Sequence, residues 1–578
     1  MRALVGWGIV SFAVLQIVEP IMHALDLPDW TLKLVVAALA IGFPITAVLA
    51  WAFDLKTTGI ERTQPSPEAP TGQGASLRGP RLAILLLGLG AAAAAPGLVY
   101  FFVWRGPGRQ PSETGGGSAA QAAPSIAVLP FADMSEKHDQ EYFADGVAEE
   151  VLNSLARVKG LKVIGRTSSF YFKGKAEDLR VIGQKLDVAN VLEGSLRRSG
   201  NRVRITAQLI KAADGSHLWS ETFDRQVDDI FKVQDDIAAA VTRSLEVRLL
   251  PEHESAGART SNPEAYRLYV IGRQAARTAV SDADFQRAID VLERGVNLDP
   301  GYAPAQALLG TAVLQRLSML STSAMSTEEW KTQWAWPLAL AEKAIALAPD
   351  LADGYILRAS YRSWIEQDWA GAQTDFERAM ALDHGSVSGR REYALLHASL
   401  GRLGEALRMA QENVDTDPLD AQSWLWLGVF QAATGHPEQA EGTYQRGLEV
   451  EPREPHLLRQ LGFAYLLQGR GQQALDLFQD HPIEYMRQAG LALAHHALHQ
   501  DKEAKRSIDA LAALGETYWV AVPYAWMGDK DRAFQWLERG LRVKDIAMRY
   551  IRFDPFLNGL RSDQRYSALL KKMNLPVD

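Results

Sequence analysis

The chain has 578 residues, more than one hydrophobic core usually organises, so two or more domains are expected. Its 61 Lys and Arg against 69 Asp and Glu give a net charge of -8, which provides no overall basic field and argues against a nucleic-acid partner. Cysteine is absent, which excludes disulfides, thiolate metal sites, iron–sulfur clusters and cysteine nucleophiles.

Three apolar stretches open the chain: Ala3 to Met22, Leu34 to Phe53 and Leu82 to Trp104. Each has about 20 residues, enough to cross about 30 Å of hydrocarbon as a helix, and residues 1–105 are read as a three-span membrane anchor. The first connection carries Asp26, Asp29 and Lys33, whereas the second carries Lys56, Arg62, Arg78 and Arg81. The positive-inside rule then makes the N-terminus and the second connection cytoplasmic and sends everything after Trp104 to the far side. In a bacterial inner membrane, that side is the periplasm. Glu19, beside Pro20 at the outer end of the first span, reads as an interfacial side chain rather than an intramembrane site.

Residues 106–123 (GPGRQPSETGGGSAAQAA) lack periodicity and core-forming side chains and read as a flexible tether. An α/β module is expected over 124–250. Ser125 to Phe131 forms a strand, Tyr142 to Val158 a helix, Leu161 to Arg166 a second strand and Asp178 to Leu186 a second helix. A hairpin follows, turned at Ser199, Gly200 and Asn201, then a strand over HLWSETFDR and a closing helix from Asp229 to Leu249. Together these predict a mixed sheet with helices.

The runs SIAVLPF, EYFADGVAEEVLNSLARVKGLKVIGRTSSFYFKGK and VANVLEGSLRRSGNRVRITAQLIKAADGSHLWSETFDR resemble the TolB amino-terminal or FlgO-like domain across Pro124 to Leu249. LDLPDW (Leu25 to Trp30) and IGFPITAVLAWAFDLKTTGIERT (Ile41 to Thr63) resemble the membrane anchor of the same bacterial multidomain proteins. The resemblance extends to the C-terminal parts of adenylate cyclase-like and winged-helix-regulator-like proteins, and it implies tetratricopeptide repeats after the α/β domain. It also implies that relatives can carry a cyclase, kinase or DNA-binding module before the anchor, which this chain is expected to lack.

An all-α tetratricopeptide (TPR) solenoid is expected over 263–543, because His384, Pro418 and Pro452 close helices at successive intervals of 34 residues. Trp424, Leu427, Gly428, Ala440 and Tyr444 follow the large, small and aromatic order of such a repeat, and Leu458, Leu461, Gly462, Tyr465, Ala474 and Phe478 repeat it. Pro300 and Pro349 stand 49 apart, consistent with one repeat carrying an inserted loop around Ser318 to Gln333. Degenerate copies near Ala504 and Ala533 bring the expectation to seven or eight helix pairs, with a terminal cap over 544–578 that includes FDPFLNGLRSDQRY.

The first helix of each pair lines the concave face of such a stack, where extended peptides or partner helices bind. Register places Tyr361, Trp364, Arg391, Leu395, Leu425, Val429, Arg459 and Phe463 on that face, as anchors and guanidinium clamps for other proteins or as packing between helices.

No phosphate loop, nucleophile elbow or zincin motif occurs, so no catalytic residue, cofactor or metal is assigned and the chain is not expected to be an enzyme. His495, His496 and His499 offer two ligands on one helix face and read as ordinary helix residues, and Asp228, Asp229, Asp235 and Asp236 as a helix start and a solvated face. One cluster of the α/β module is a candidate ligand site: Asp145, Gly146, Glu149, Arg166, Thr167 and Ser168 at strand and helix ends. The alternative is that Asp145 caps a helix, Arg166 makes an intramolecular ion pair, and Thr167 with Ser168 ends the strand. The favoured expectation is a membrane-anchored adaptor acting through the solenoid; the alternative is a ligand sensor acting through the α/β module.

Overall fold

The computed structural model describes residues 53–56, 59–62, 124–158, 160–245, 256–279, 281–319 and 327–577. They fall into two compact units, Met1–Gly117 and Ser118–Asp578. In the first, β1 (Phe53–Lys56) and β2 (Gly59–Arg62) pair antiparallel, Phe53 opposite Arg62. The spans expected near 3–22, 34–53 and 82–104 and the tether lie outside the described residues, apart from Phe53, which opens β1. Among the described residues no helix is long and apolar enough to cross a membrane.

The second unit begins with the mixed sheet. Its strands are β3 (Ser125–Val128), β4 (Ala132–Asp133), β5 (Lys162–Val163), β6 (Asn190–Ser199), β7 (Arg202–Lys211) and β8 (His217–Gln226), in the order β5-β3-β6-β7-β8 with β4 also on β6. β3 runs parallel to β5 and β6, whereas β6, β7 and β8 form an antiparallel meander whose first turn sits at Gly200 and Asn201, joining Ser199 to Arg202. Period-two burial of Val203, Ile205, Ala207 and Leu209 on β7 aims one face at the core while Arg202 and Arg204 face solvent.

That core face packs on α1 (Glu141–Ala156) and α4 (Ile230–Ser244), which present Val147, Val151 and Leu155 and Val233, Ile237 and Val241 at helical spacing. α3 (Leu179–Leu186), capped by Asp178, covers the opposite face near β3. The second strand is two residues rather than six, because α2 (Arg166–Phe170) starts where the sequence pattern continues the strand.

Eight antiparallel helix pairs follow. They are α5 (Pro263–Arg277) with α6 (Asp282–Leu298), α7 (Ala303–Met319) with α8 (Thr327–Leu347), α9 (Ala352–Tyr361) with α10 (Trp369–Leu382) and α11 (Val387–Ser399) with α12 (Leu403–Thr416). The rest are α13 (Ala421–Ala433) with α14 (Pro437–Val450), α15 (Pro455–Leu467) with α16 (Gly471–Gln479), α17 (Glu484–Ala497) with α18 (Asp501–Ala513) and α19 (Tyr518–Trp526) with α20 (Lys530–Arg542). The 34-residue period is written into the punctuation. N-caps fall at Ser386, Asp420 and Glu454, each accepting from a backbone N–H three residues on, and left-handed glycines at Gly401, Gly435 and Gly469 turn each pair. The extra residues between Pro300 and Pro349 do not form one long loop: helix extends through Met319 and resumes at Thr327, giving an α8 of 21 residues.

First helices touch the first helix of the next pair from α7 through α19, so the stack curves toward them. The chain ends in two 3-10 turns, Ile546–Tyr550 and Pro555–Leu560, and α21 (Gln564–Lys572). This segment packs on the last pair, its second turn against α19 and α21 against α20, where Arg565 meets Asp531 at 2.7 Å and Lys572 meets Glu538 at 2.6 Å. Its first turn touches α11, α19 and the π-helical end of α9, residues Arg362–Glu366, so it lies against the concave row of first helices. The physical reason is its load of apolar side chains, with Met548, Ile551, Phe553, Phe556, Leu557 and Leu560 all buried.

Candidate functional site

The concave face gathers most of the residues expected on it and closes over them. Tyr361, Leu395, Leu425, Arg459 and Phe463 are buried, while Trp364, Arg391 and Val429 are half-buried. Leu425 faces its own repeat, packing with Tyr444 and Leu457, and Tyr361 packs with Leu357 and Trp334, so these two are helix-packing residues rather than an open surface. Phe463 meets Phe556 edge to face at 5.1 Å, Arg459 lies 4.7 Å over Trp519, and Trp364 carries Arg549 at 4.5 Å. Arg391 sits 3.9 Å from Glu392, and burial of the Glu392 Oε2 leaves that atom without a hydrogen-bond partner.

The C-terminal segment supplies what the sequence reading left out. Tyr550, Phe553 and Phe556 step along the chain by three, meeting Trp426 at 6.2 Å, Phe430 at 6.1 Å and Phe463 at 5.1 Å, successive aromatic residues on α13 and α15. Asp554 accepts a 2.8 Å hydrogen bond from the Tyr518 hydroxyl, and burial raises its pKa. At the far end Trp369 Nε1 donates to the carbonyl of Met573 at 2.7 Å, and Ser399 Oγ lies 3.0 Å from the carbonyl of Arg549. The clue in the sequence was density: a solvated tail has no use for Met548, Ile551, Phe553, Phe556 and Leu557 so close together.

The candidate cluster of the α/β module is also brought together, and its partners belong to the solenoid. Glu149 is buried and receives Arg166 at 2.7 Å, Arg273 at 3.0 Å and Arg277 at 2.5 Å, the last two from α5. Burial pushes the Glu149 carboxyl up, but the three guanidinium groups outweigh it and hold the pKa at about 2, against an ordinary 4.5. Burial and the neighbouring Arg277 lower Arg166 to about 10, and its guanidinium stacks on Phe170 at 4.1 Å.

Thr167 and Ser168 do not end a strand; their N–H groups, at the start of α2, donate to Asp417 at 3.3 and 2.6 Å. Ser168 Oγ accepts from Leu419 N at 2.7 Å, and Gly165 N donates to the Thr416 carbonyl at 2.8 Å. A Cβ on Gly165 would lie 2.4 Å from Asp417 Cγ, so glycine permits this approach. Burial and the adjacent Asp420 raise the Asp417 pKa, opposed by the N–H donors. Asp145 does not cap α1, whose N-cap is Gln140; it pairs with Lys173 at 2.5 Å, and burial raises its pKa.

Between α1, α4 and the start of the solenoid lies a cleft of about 80 Å³ with Glu150, Arg157, Asp235, Arg259 and Tyr302 in its walls. Two of its carboxylates are paired within the chain, Asp235 with Arg259 at 2.7 Å and Glu150 with Arg273 at 3.0 Å, and desolvation in the cleft wall raises the pKa of a third, Asp353, to about 6. The three histidines do not converge: His495 Nδ1 contacts Gln500 Oε1 at 2.6 Å, His496 faces Asp501 at 3.8 Å, and His499 takes the left-handed turn after α17.

Comparison with known proteins places this module and the repeats separately. A family model described as the second domain of HilA/YgeH-like transcriptional regulators matches residues 121–240. A Rhizobium meliloti (strain 1021) protein, provisionally named adenylate cyclase 3, is 40% identical over 250 residues, covering 43% of this chain and 41% of that protein. The chain therefore spans less than half the length of the curated relative it matches. Among solved structures, Pseudomonas aeruginosa PilF is similar with a TM-score of 0.29 and 18% identity over 37% of this chain and 91% of its own. Human IFIT1 is similar with a TM-score of 0.37 and 14% identity over 54% of this chain and 78% of its own. At these scores the repeat architecture rests on the chain's own 34-residue punctuation and helix pairing.

Proposed function

We propose that the chain is a membrane-anchored adaptor that binds other proteins through its helical repeats, in signalling or assembly at the bacterial envelope. The observation that carries this reading is the concave face, whose aromatic first helices hold a C-terminal segment of 3-10 turns by ring contacts and by Ser399 donating to the Arg549 carbonyl. A surface with that chemistry recognises polypeptide. The three apolar N-terminal stretches support an inner-membrane anchor, and their flanking charges support a periplasmic α/β module and solenoid.

The likeness of the α/β module to a domain of transcriptional regulators, beside a relative named as a cyclase, supports a place in signalling, with this module and the repeats as a receiving half. The ligand-sensor alternative is less favoured, because Arg166 pairs with Glu149 within the module while Glu149, Thr167 and Ser168 also bond to the solenoid.

Crosslinking in intact cells tests the adaptor reading. Membrane-associated proteins captured by the wild-type chain are expected to be lost from the Trp364→Ala and Arg391→Ala variants, which alter half-buried positions of the groove. Capture of the same set by all three forms, or of nothing specific, would defeat it. A reporter fused after Asp578 tests topology: activity only in the cytoplasm would reverse the predicted orientation.

A further inference from the structure

The chain after α20 is built unlike anything before it. Among the described residues eight helix pairs stack side by side, and the chain then runs as two 3-10 turns and a nine-residue helix that pack on α19 and α20 and reach over the first helices to α11 and the end of α9. Its contacts are those of a bound peptide. Aromatic residues at 550, 553 and 556 enter between aromatic residues of α13, α15 and α19, the latter offering Trp526 at 4.8 Å from Phe556. Asp554 starts the second turn by accepting from Phe556 N at 2.9 Å, and Pro555 fixes that turn's direction.

Its apolar side chains join the core of the repeats, but its margin is imperfectly satisfied. Along its course Arg549 Nε, Arg549 Nη1, Glu392 Oε2 and Arg459 Nε are buried without hydrogen-bond partners, and each such atom weakens the packing it sits in. Trp364, Trp426, Trp526 and Tyr550 keep part of their rings exposed at its margin. The connection to α20 is Val543, Lys544 and Asp545, with Lys544 at a φ of 55°, a left-handed hinge from which the segment departs without interrupting any helix pair.

We propose that residues 546–575 are a resident ligand of the concave face, and that a partner polypeptide carrying the same Tyr-x-x-Phe-Asp-Pro-Phe pattern binds by displacing them. This rests on the reading of the repeats as a polypeptide-binding surface and names the partner that surface takes. Tethering holds the resident at an effective concentration on the order of millimolar, so the self-bound state dominates until a partner adds contacts of its own.

The test uses the full chain purified in detergent and a fluorescent peptide of residues 545–577. In the variant with Phe553→Ala and Phe556→Ala the resident is weakened, and the peptide is expected to bind about 100-fold more tightly than to the wild-type chain. The same peptide with both phenylalanines replaced by alanine is expected not to bind. In parallel, a protease site inserted between Val543 and Asp545 allows the hinge to be cut; the freed segment is expected to leave on dilution while the repeats stay helical.

Equal peptide affinity for the folded variant and the wild-type chain would overturn the proposal. So would a cut segment that stays bound on dilution and unfolds with the repeats in one transition, and this arm decides if the double variant fails to fold. Either failure leaves the adaptor reading to be judged by capture at Trp364 and Arg391, whereas peptide exchange without any cellular partner would separate the two in the other direction.

Discussion

Among the described residues two regions pack on the solenoid, and they differ in which chemistry fixes the geometry. At the junction with the α/β module an apolar seam, Tyr266 of α5 against Phe143 and Phe231, is fixed in place by charged, directional contacts: Glu149 under three guanidinium groups, and Asp417 under the N–H groups of α2. On the concave face the contacts are mainly aromatic, with Phe553 and Phe556 set among rings 5 to 6 Å away. A charged contact tolerates no substitute geometry, because an unpaired buried charge is costly; an aromatic surface accepts any segment that brings rings at the right spacing. The junction is therefore suited to fixing one arrangement and the groove to exchanging occupants.

The largest expected effects test each place by its own chemistry. Phe556→Ala removes a ring that touches Phe463 and Trp526 and should weaken the segment's hold by about 3–5 kcal/mol. Hydrogen exchange should then rise across 546–575 while the helix pairs keep their protection; uniform loss throughout the repeats would make the two places equivalent. Glu149→Gln strands Arg166, Arg273 and Arg277 and should cost about 3–5 kcal/mol of stability, read as a lower denaturant midpoint.

Acid sharpens the same contrast. Because the pKa of Glu149 falls from 4.5 to about 2 on folding, its contribution is complete above pH 4.5 and is lost as pH falls toward 2. The stability gap between wild type and Glu149→Gln should shrink over that window, whereas the gap for Phe556→Ala should not follow the titration of Glu149. A gap for Glu149→Gln that is flat from pH 5 to pH 2.5 would mean the carboxylate is not held by its three partners.

A smaller effect probes the second latch. Gly165→Ala puts a methyl group 2.4 Å from Asp417 Cγ, so the loop after α12 or the start of α2 must shift, at about 1–3 kcal/mol. Exchange should increase at Ser168 and Leu419, with α1 and α5 unaffected.

Much of the repeat half was legible because its signals are local. Ser386, Asp420 and Glu454 cap helices through neighbours three residues away, and the glycines at 401, 435 and 469 turn within their own pairs. The order of strands and helices in the α/β module was legible for the same reason, through the alternation on β7 and the helical spacing on α1. What escaped is long-range. Helix α2 starts at Arg166 because Asp417, some 250 residues on, accepts its N–H groups, and no pattern around Gly165 announces that. Residues 546–560 form two short 3-10 turns rather than a long periodic element, and their anchors answer the spacing of α13, α15 and α19. The candidate cluster was legible as residues, with an intramolecular ion pair of Arg166 as one of its two readings, but Arg273 and Arg277, which complete that pairing, belong to another module and no local pattern announces them.

Ser168→Ala is the smallest of these changes and isolates a single bond. Leu419 N loses the hydroxyl that accepts it at 2.7 Å, while Ser168 N keeps its donation to Asp417, so the latch is weakened without being opened. The expected cost is about 1 kcal/mol, the ordinary worth of one part-buried hydrogen bond. Combined with Gly165→Ala, which moves the same loop, the costs should fall short of additive, because a shifted Leu419 has already lost the hydroxyl. Combined with Phe556→Ala they should simply add, since no side chain is shared between the junction and the groove contacts of that ring. Strong coupling between Ser168 and Phe556 would show instead that docking of the α/β module and occupation of the concave face are one equilibrium, and that a signal received at either is felt at the other.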